Sequence, residues 1–170
     1  WIEKLGANVP TYETKKLFGS FHKQSPKPLP SLSEIGFGQA SPSIVPAKLD
    51  EDIAKHYDKT RDIPAIHGTT RMGVHLRFGT VSIRNLVNKA LQLNAIYLNE
   101  LIWREFYQMI LWHFPHVVNH SFKKEYDKIT WRNNEHEFSL WCSGQTGFPI
   151  VDAGMRELNE TGFMHNRVRM

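Results

Sequence analysis

The 170-residue chain predicts an all-α fold class, a helical body preceded by an extended connector. Three observations carry that expectation. Apolar residues recur at helical spacing from Ser82 onward, and a long, almost wholly apolar segment, AIYLNELIWREFYQMILWHFP, stops at Pro115. No run shows the strict alternation or the β-branched enrichment of strands, and there is no internal repeat.

The connector is residues 1–46 and the body residues 47–170. Six of the nine prolines fall in the first 46 residues, in stretches such as QSPKPLPSLSEIGFGQASPSIVP that lack periodicity. Beyond Ala47 the punctuation changes. KLDEDIAKHYDKTRDIP opens a helix with Asp50 as its N-cap, and that helix must stop before Pro64. The polar loop HGTTRMG, residues 67 to 73, follows; such loops lie on surfaces and carry binding groups. Ile83, Leu86, Val87, Ala90 and Leu91 then form one helical face, and the segment ending at Pro115 reads as a buried helix. Asn134 caps EHEFSLWCSG, with Gly144 just past its end. Pro149 suits the first turn of FPIVDAGMRELNETG, which Gly162 terminates.

Composition bounds the function. A chain of this length with 41% hydrophobic residues, five Trp and ten Phe can form one core, burying roughly 70% of its unfolded surface. Charged residues at 22% and apolar runs of only a few residues argue against disorder and against a membrane span. The single cysteine, Cys142, excludes an internal disulfide and a Cys-rich zinc site, and it fits a reducing compartment, the cytoplasm. WIEKLGANVP lacks both a signal-peptide pattern and an initiator Met. A net charge of +4 permits polyanionic partners without showing them.

Within the apolar helix, Glu100, Arg104 and Gln108 recur every four residues on one stripe, flanked by Trp103 and Tyr107. One reading is an i,i+4 Glu-to-Arg pair facing solvent, worth about 0.3 kcal/mol. The other is a pocket, because large apolar side chains surround the stripe and a carboxyl there would be desolvated. His113, His116 and His120 are spaced loosely like metal ligands, but Pro115 breaks the helix that would align them, and no metal site is expected. Arg71 sits in a loop whose hydroxyls and N–H groups suit phosphate, without Walker spacing.

Together, TRDIPAIHGTTRMG, LNELIWREFYQMILWHFP, ITW, GQTGFPIVDAGMREL and TGFMHNRVRM resemble the helical FAD-binding domain of the DNA photolyase and cryptochrome family. Their order and spacing are most similar to the bacterial class I enzymes that repair cyclobutane pyrimidine dimers. The resemblance runs from about Tyr57 to Met170, and the NELIWREFY and MHNRVRM blocks are its most specific parts. It implies a light-driven lyase using reduced FAD on damaged DNA, with no membrane partner; a photoreceptor of cryptochrome type, with the flavin but without repair, is the alternative. Family members also carry an N-terminal antenna domain, where a second chromophore such as a folate is expected, and a further helical portion after the MHNRxRM block. The expectation is therefore a cut chain that self-associates through apolar surface and is inactive by itself.

Residue by residue, the resemblance implies these roles. Tyr57, Thr69, Thr70, Arg71, Met72, Gly73, Arg104 and Arg169 match cofactor-side positions. Glu100, Trp103, Asn166 and Met170 match the dimer pocket, with Glu100 best suited to a thymine carbonyl as a neutral acid, since a carboxylate only accepts hydrogen bonds. Arg61 and Arg167 match DNA phosphate contacts, and Trp131 matches the outermost tryptophan of the relay that reduces the flavin. Tyr97 and Phe163 stand where many relatives have Trp, keeping an aromatic wall.

Overall fold

The computed structural model of the chain describes residues 9–38 and 44–169, and the site residue Met170 lies outside them. Among the described residues the regular elements are all helical. Seven α-helices follow one another: α1 Glu51–Lys55, α2 Tyr57–Thr60, α3 Gly73–Phe78, α4 Ile83–Leu93, α5 Ala95–His113, α6 Glu135–Ser143 and α7 Pro149–Thr161. Short 3₁₀ turns lie at Thr14–Ser20, Pro115–Val118, Lys124–Lys128 and Asn166–Val168.

The capping residues explain where these helices begin and end. Asp50 accepts from the backbone N–H groups of Asp52 and Ile53, and Asn134 from those of His136 and Glu137. Asn94, a cap the sequence reading did not single out, accepts from Ile96 and Tyr97 and so separates α4 from α5. Its amide also donates to the Lys55 carbonyl and the Asp58 carboxylate, tying that corner to the end of α1 and to α2. Gly144 and Gly162 close α6 and α7 in the left-handed conformation that glycine adopts without a Cβ penalty.

The core gathers Leu49, Ala54, Met72, Leu86, Val87, Ala90, Tyr97, Leu98 and Leu101 between α1, α4 and the first half of α5. The Leu86, Val87 and Ala90 positions are those the helical spacing predicts to face inward. The rest of α5 departs from the expectation of a buried helix. Trp103, Tyr107, Leu111 and Trp112 are exposed, because among the described residues α2 and α4 cover only the N-terminal part of the helix. The proline-rich N-terminal stretch is tied down at Val9, whose N–H donates to Asn88 Oδ1 while the Asn88 amide returns a bond to the Val9 carbonyl, both at 2.8 Å. Near its end, the buried His75 ring bonds the Val45 carbonyl at 2.8 Å.

A second packing unit pairs α6 with α7 and seats the Asn166–Val168 turn on α7. Gly154 allows that approach, since a Cβ there would lie 3.1 Å from a Val168 methyl. The loop entering α7 is closed by Asp152, 6% exposed, which accepts from Thr146 N at 2.7 Å, Thr146 Oγ1 at 2.6 Å and Gly147 N at 3.0 Å. The Thr146 hydroxyl, more than any other contact, holds this carboxyl below its ordinary value of 3.8. A lowered folded pKa means that the unfolded chain binds the proton first, so the contribution is complete above that ordinary value and is lost as pH falls below it. Acid unfolding followed by circular dichroism is expected to show this loss, and Asp152→Asn should flatten it; an unchanged acid limb in the variant would refute the assignment.

Candidate functional site

Two features meet at the chain's last turn. The first is a cleft of about 380 Å³ lined by Arg71, Gly73, Val74, Phe163, Met164 and Arg169, among others. Arg71 holds a left-handed backbone, φ 50°, which is uncommon for a residue with a Cβ and costs of order 1 kcal/mol or more. Its guanidinium stacks 4.2 Å above the Phe163 ring and approaches the Glu157 carboxylate at 3.5 Å, while its buried Nε has no hydrogen-bond partner among the described residues. Directly after Arg71, Met72 stands at the N-cap of α3 and makes no side-chain cap hydrogen bond, so the first N–H groups from Gly73 onward have no side-chain cap among the described residues.

The loop that delivers Arg71 is held by a close backbone contact. Thr60 Oγ1, at the end of α2, donates to the Gly68 carbonyl at 2.9 Å, and a Cβ on Gly68 would lie 2.6 Å from the Thr60 carbonyl oxygen. Only glycine fits so near a helix end. Thr70 Oγ1 reaches the Tyr97 hydroxyl at 3.4 Å, and Tyr97 meets Tyr57 edge-on with ring centroids 5.2 Å apart. Burial foremost raises the phenol pKa of both tyrosines, with Glu100 adding to the effect at Tyr57, so both stay neutral. Arg104 sits on the same side, donating to the Leu76 carbonyl of α3 at 3.3 Å.

The second feature is a strip of alternating charge. Glu100 on α5 accepts from Arg61 Nη1; Arg61 Nε also donates to Asp62 Oδ1 at 3.3 Å. That same oxygen accepts from Arg167 Nε at 2.8 Å and from Arg167 Nη2. Burial works against the Arg61 charge, but the Glu100 hydrogen bond and charge outweigh it, so the guanidinium is held all the more firmly protonated. The Arg167 hydrogen bond, above all, holds the Asp62 carboxyl below its usual range.

This geometry corrects two expectations. Glu100 pairs with Arg61 across the fold and not with Arg104 along the helix, so the i,i+4 reading fails. Glu100 is also not an isolated acid among apolar neighbours, because Arg61 engages it as an acceptor. Trp103 beside it is half exposed at 51% and stacks on Tyr107 at 5.9 Å.

One turn links strip and cleft. His165 caps the Asn166–Val168 turn, its Nδ1 accepting from the Arg167 N–H at 3.1 Å. A neutral ring that accepts at Nδ1 carries its proton on Nε2, which is buried without a partner among the described residues. From this turn Arg167 reaches Asp62, while Arg169 lines the cleft and bonds the Met164 carbonyl at 3.0 Å. Asn166 is exposed. Trp131 stands elsewhere, 70% exposed beside a recess lined by Val117, His120 and Tyr126. Among the described residues no group of three or more His, Cys, Asp or Glu could hold a metal ion.

Sequence reasoning missed Asp62 and His165 as parts of this arrangement. Asp62 is 105 residues from Arg167 in the chain, and no periodicity connects them. Gly68 was legible only as part of a loop.

The family model described as the FAD binding domain of DNA photolyase matches residues 97–170. A curated deoxyribodipyrimidine photo-lyase from Halobacterium salinarum is 36% identical over 166 residues, covering 84% of this chain and 34% of that protein. Among solved structures, a bacterial class III photolyase from Agrobacterium tumefaciens superposes with a TM-score of 0.65 at 36% identity, over 70% of this chain and 27% of that one. A cryptochrome from Synechocystis superposes with a TM-score of 0.59 at 32% identity, over 69% of this chain and 26% of that one. The chain thus spans about a third of the length of the curated relative it matches. The all-helical fold and these likenesses agree: residues 97–170 match the FAD binding domain of DNA photolyase, and the chain is similar in sequence and fold to DNA photolyases and to a cryptochrome.

Proposed function

We propose that this chain contributes the flavin- and lesion-contacting surface of a light-driven DNA repair lyase that splits cyclobutane pyrimidine dimers. The observation that carries the reading is the Asn166–Val168 turn, which sends Arg167 into the charged strip and Arg169 into the cleft. One segment would then couple cofactor to substrate. In this reading residues 1–46 are a connector, residues 47–170 the FAD- and DNA-binding body, and the protein works in the cytoplasm.

The cleft suits FAD in its chemistry. Arg71 and Arg169 offer donors and positive charge for a diphosphate, and the Arg71 Nε, unpartnered among the described residues, calls for an acceptor. Phe163 and Met164 supply apolar walls for a flat ring. Gly73 lines the same cleft, and the resemblance adds Tyr57, Thr69, Thr70, Met72 and Arg104 to the cofactor side, where Met72, buried in the core, would act only through its backbone. Reduced FAD held by these residues would supply light-driven one-electron chemistry for opening the cyclobutane ring.

The chain's own residues position the lesion. Arg61 and Arg167 neutralise backbone phosphates, which sets register and salt dependence without reading sequence. Trp103 offers an exposed apolar face to the flipped bases, Asn166 a donor and an acceptor to a base edge, and Met170 a soft opposite contact. Glu100, engaged as an acceptor, suits a pyrimidine N–H. Flipping costs a few kcal/mol in intact duplex and less where a dimer already disturbs stacking, so damage is favoured before any contact is made. Trp131, exposed and apart from the cleft, fits the solvent end of an electron relay.

The likeness to a cryptochrome supports a second reading, a blue-light photoreceptor without repair. Blue-light illumination of a dimer-containing oligonucleotide with the reduced, FAD-loaded full-length protein separates the two. Intact thymines are expected to appear with light and not in the dark. A flavin-loaded protein that leaves dimers intact under light would favour the photoreceptor.

A further inference from the structure

We propose that Asp62 is a positioning residue for damage discrimination: it holds Arg61 and Arg167 in one strip, so that a DNA phosphate must displace it to engage them. The inference rests on the reading that these two arginines contact phosphate.

The geometry on which it stands is unusual for an exposed carboxylate. A single oxygen, Oδ1, accepts from Arg61 Nε, Arg167 Nε and Arg167 Nη2, joining the residue after α2 to the Asn166–Val168 turn. Glu100 holds the far side of Arg61. The strip therefore contains two cations and two anions, and each guanidinium already has a carboxylate partner. An undamaged duplex gains little there, because every new phosphate contact replaces an existing ion pair. Selectivity of this kind comes from an element that works against the wrong partner as much as from contacts with the right one.

The strip also connects the two ends of the site. Glu100 lies on α5 one turn from Trp103, at the proposed base-contacting surface. A ligand that takes Glu100 loosens Arg61; Arg61 shares Asp62 with Arg167, so its release redistributes that carboxylate's bonds. Base-side engagement and phosphate-side engagement are linked through one side chain.

The test is binding of fluorescein-labelled duplexes, with and without one thymine dimer, by the FAD-loaded full-length protein across about 50 to 200 mM salt. Asp62→Asn removes the charge and keeps the shape. It is expected to raise affinity for undamaged duplex about threefold at low salt and to steepen the log–log salt slope by about one, as one more free cation would. The ratio of affinities for damaged and undamaged duplex should fall on the order of tenfold, the scale of one coupled pair. In an Arg167→Gln background the same change should alter the ratio no further. Asp62→Glu, which keeps the charge, should retain the wild-type slope; if it behaves like Asp62→Asn, the role is one of packing and the proposal fails. The proposal also fails if Asp62→Asn changes neither slope nor ratio while Arg61→Gln and Arg167→Gln flatten the slope. If those two arginine variants leave the slope unchanged as well, the phosphate reading falls with it.

Discussion

Gly68→Ala is expected to strip the protein of FAD. The added Cβ would sit 2.6 Å from both the Thr60 Cβ and the Thr60 carbonyl oxygen, and the latter is backbone at the end of α2 that cannot swing aside. Relief must come from the 67–72 loop, which would lose the Thr60 hydroxyl bond to the Gly68 carbonyl and shift Thr69 to Met72 as a unit. Overpacking of this kind costs about 1 to 3 kcal/mol. The functional loss should be larger than the stability loss, because donors displaced by even 1 Å no longer meet a diphosphate. Flavin absorbance of the purified protein is expected to fall at least tenfold, about 1.4 kcal/mol of affinity. Gly38→Ala, where an added Cβ meets nothing within 4 Å, serves as the control. Wild-type flavin content in the Gly68 variant would show that the loop is not part of the cofactor site.

Glu100→Ala is expected to leave flavin bound and to weaken capture of dimer-containing DNA by about ten- to a hundredfold, the range for losing a hydrogen bond to a charged group. Glu100 does not line the cleft, whereas it shares a helix face with Trp103 and pairs with Arg61. Losing the carboxylate also frees Arg61 from its stronger partner. Undamaged duplex should then bind as well as before or better, so the change appears in the ratio of the two affinities. Glu100→Gln keeps the hydrogen-bonding shape and is expected to recover part of the loss. Equal weakening toward damaged and undamaged DNA would remove Glu100 from the base-contacting surface and leave it a structural partner of Arg61.

Much of this was legible from residues alone. Helix limits followed from local chemistry: Asp50, Asn134, Gly144, Pro149 and Gly162 act within a few residues of themselves, and each falls where the pattern put it. The resemblance grouped Arg71, Gly73 and Arg169, and the structure places these three along one cleft. What the pattern could not show was pairing across the fold. The i,i+4 spacing pointed Glu100 to Arg104, whereas it meets Arg61 from the end of α2. Asp62 looks like any polar residue near a proline until α2 and the Asn166–Val168 turn are brought together. The exposure of the second half of α5 was likewise invisible, since an apolar segment carries no record of how much of it its neighbours cover.

The two ties on the connector have a consequence for how the molecule can change. Val9 is clasped by Asn88 and Val45 by His75, so the proline-rich stretch between these two residues is anchored on the helical body at both of them. The stretch is thus a closed excursion, whose entropy depends on length only logarithmically, about 0.6 kcal/mol for each doubling. Residues can be inserted into or removed from its exposed middle at almost no thermodynamic expense to the helices. Variation in length between relatives is therefore best accommodated here, while the two anchoring side chains, and not the prolines between them, hold its ends in place.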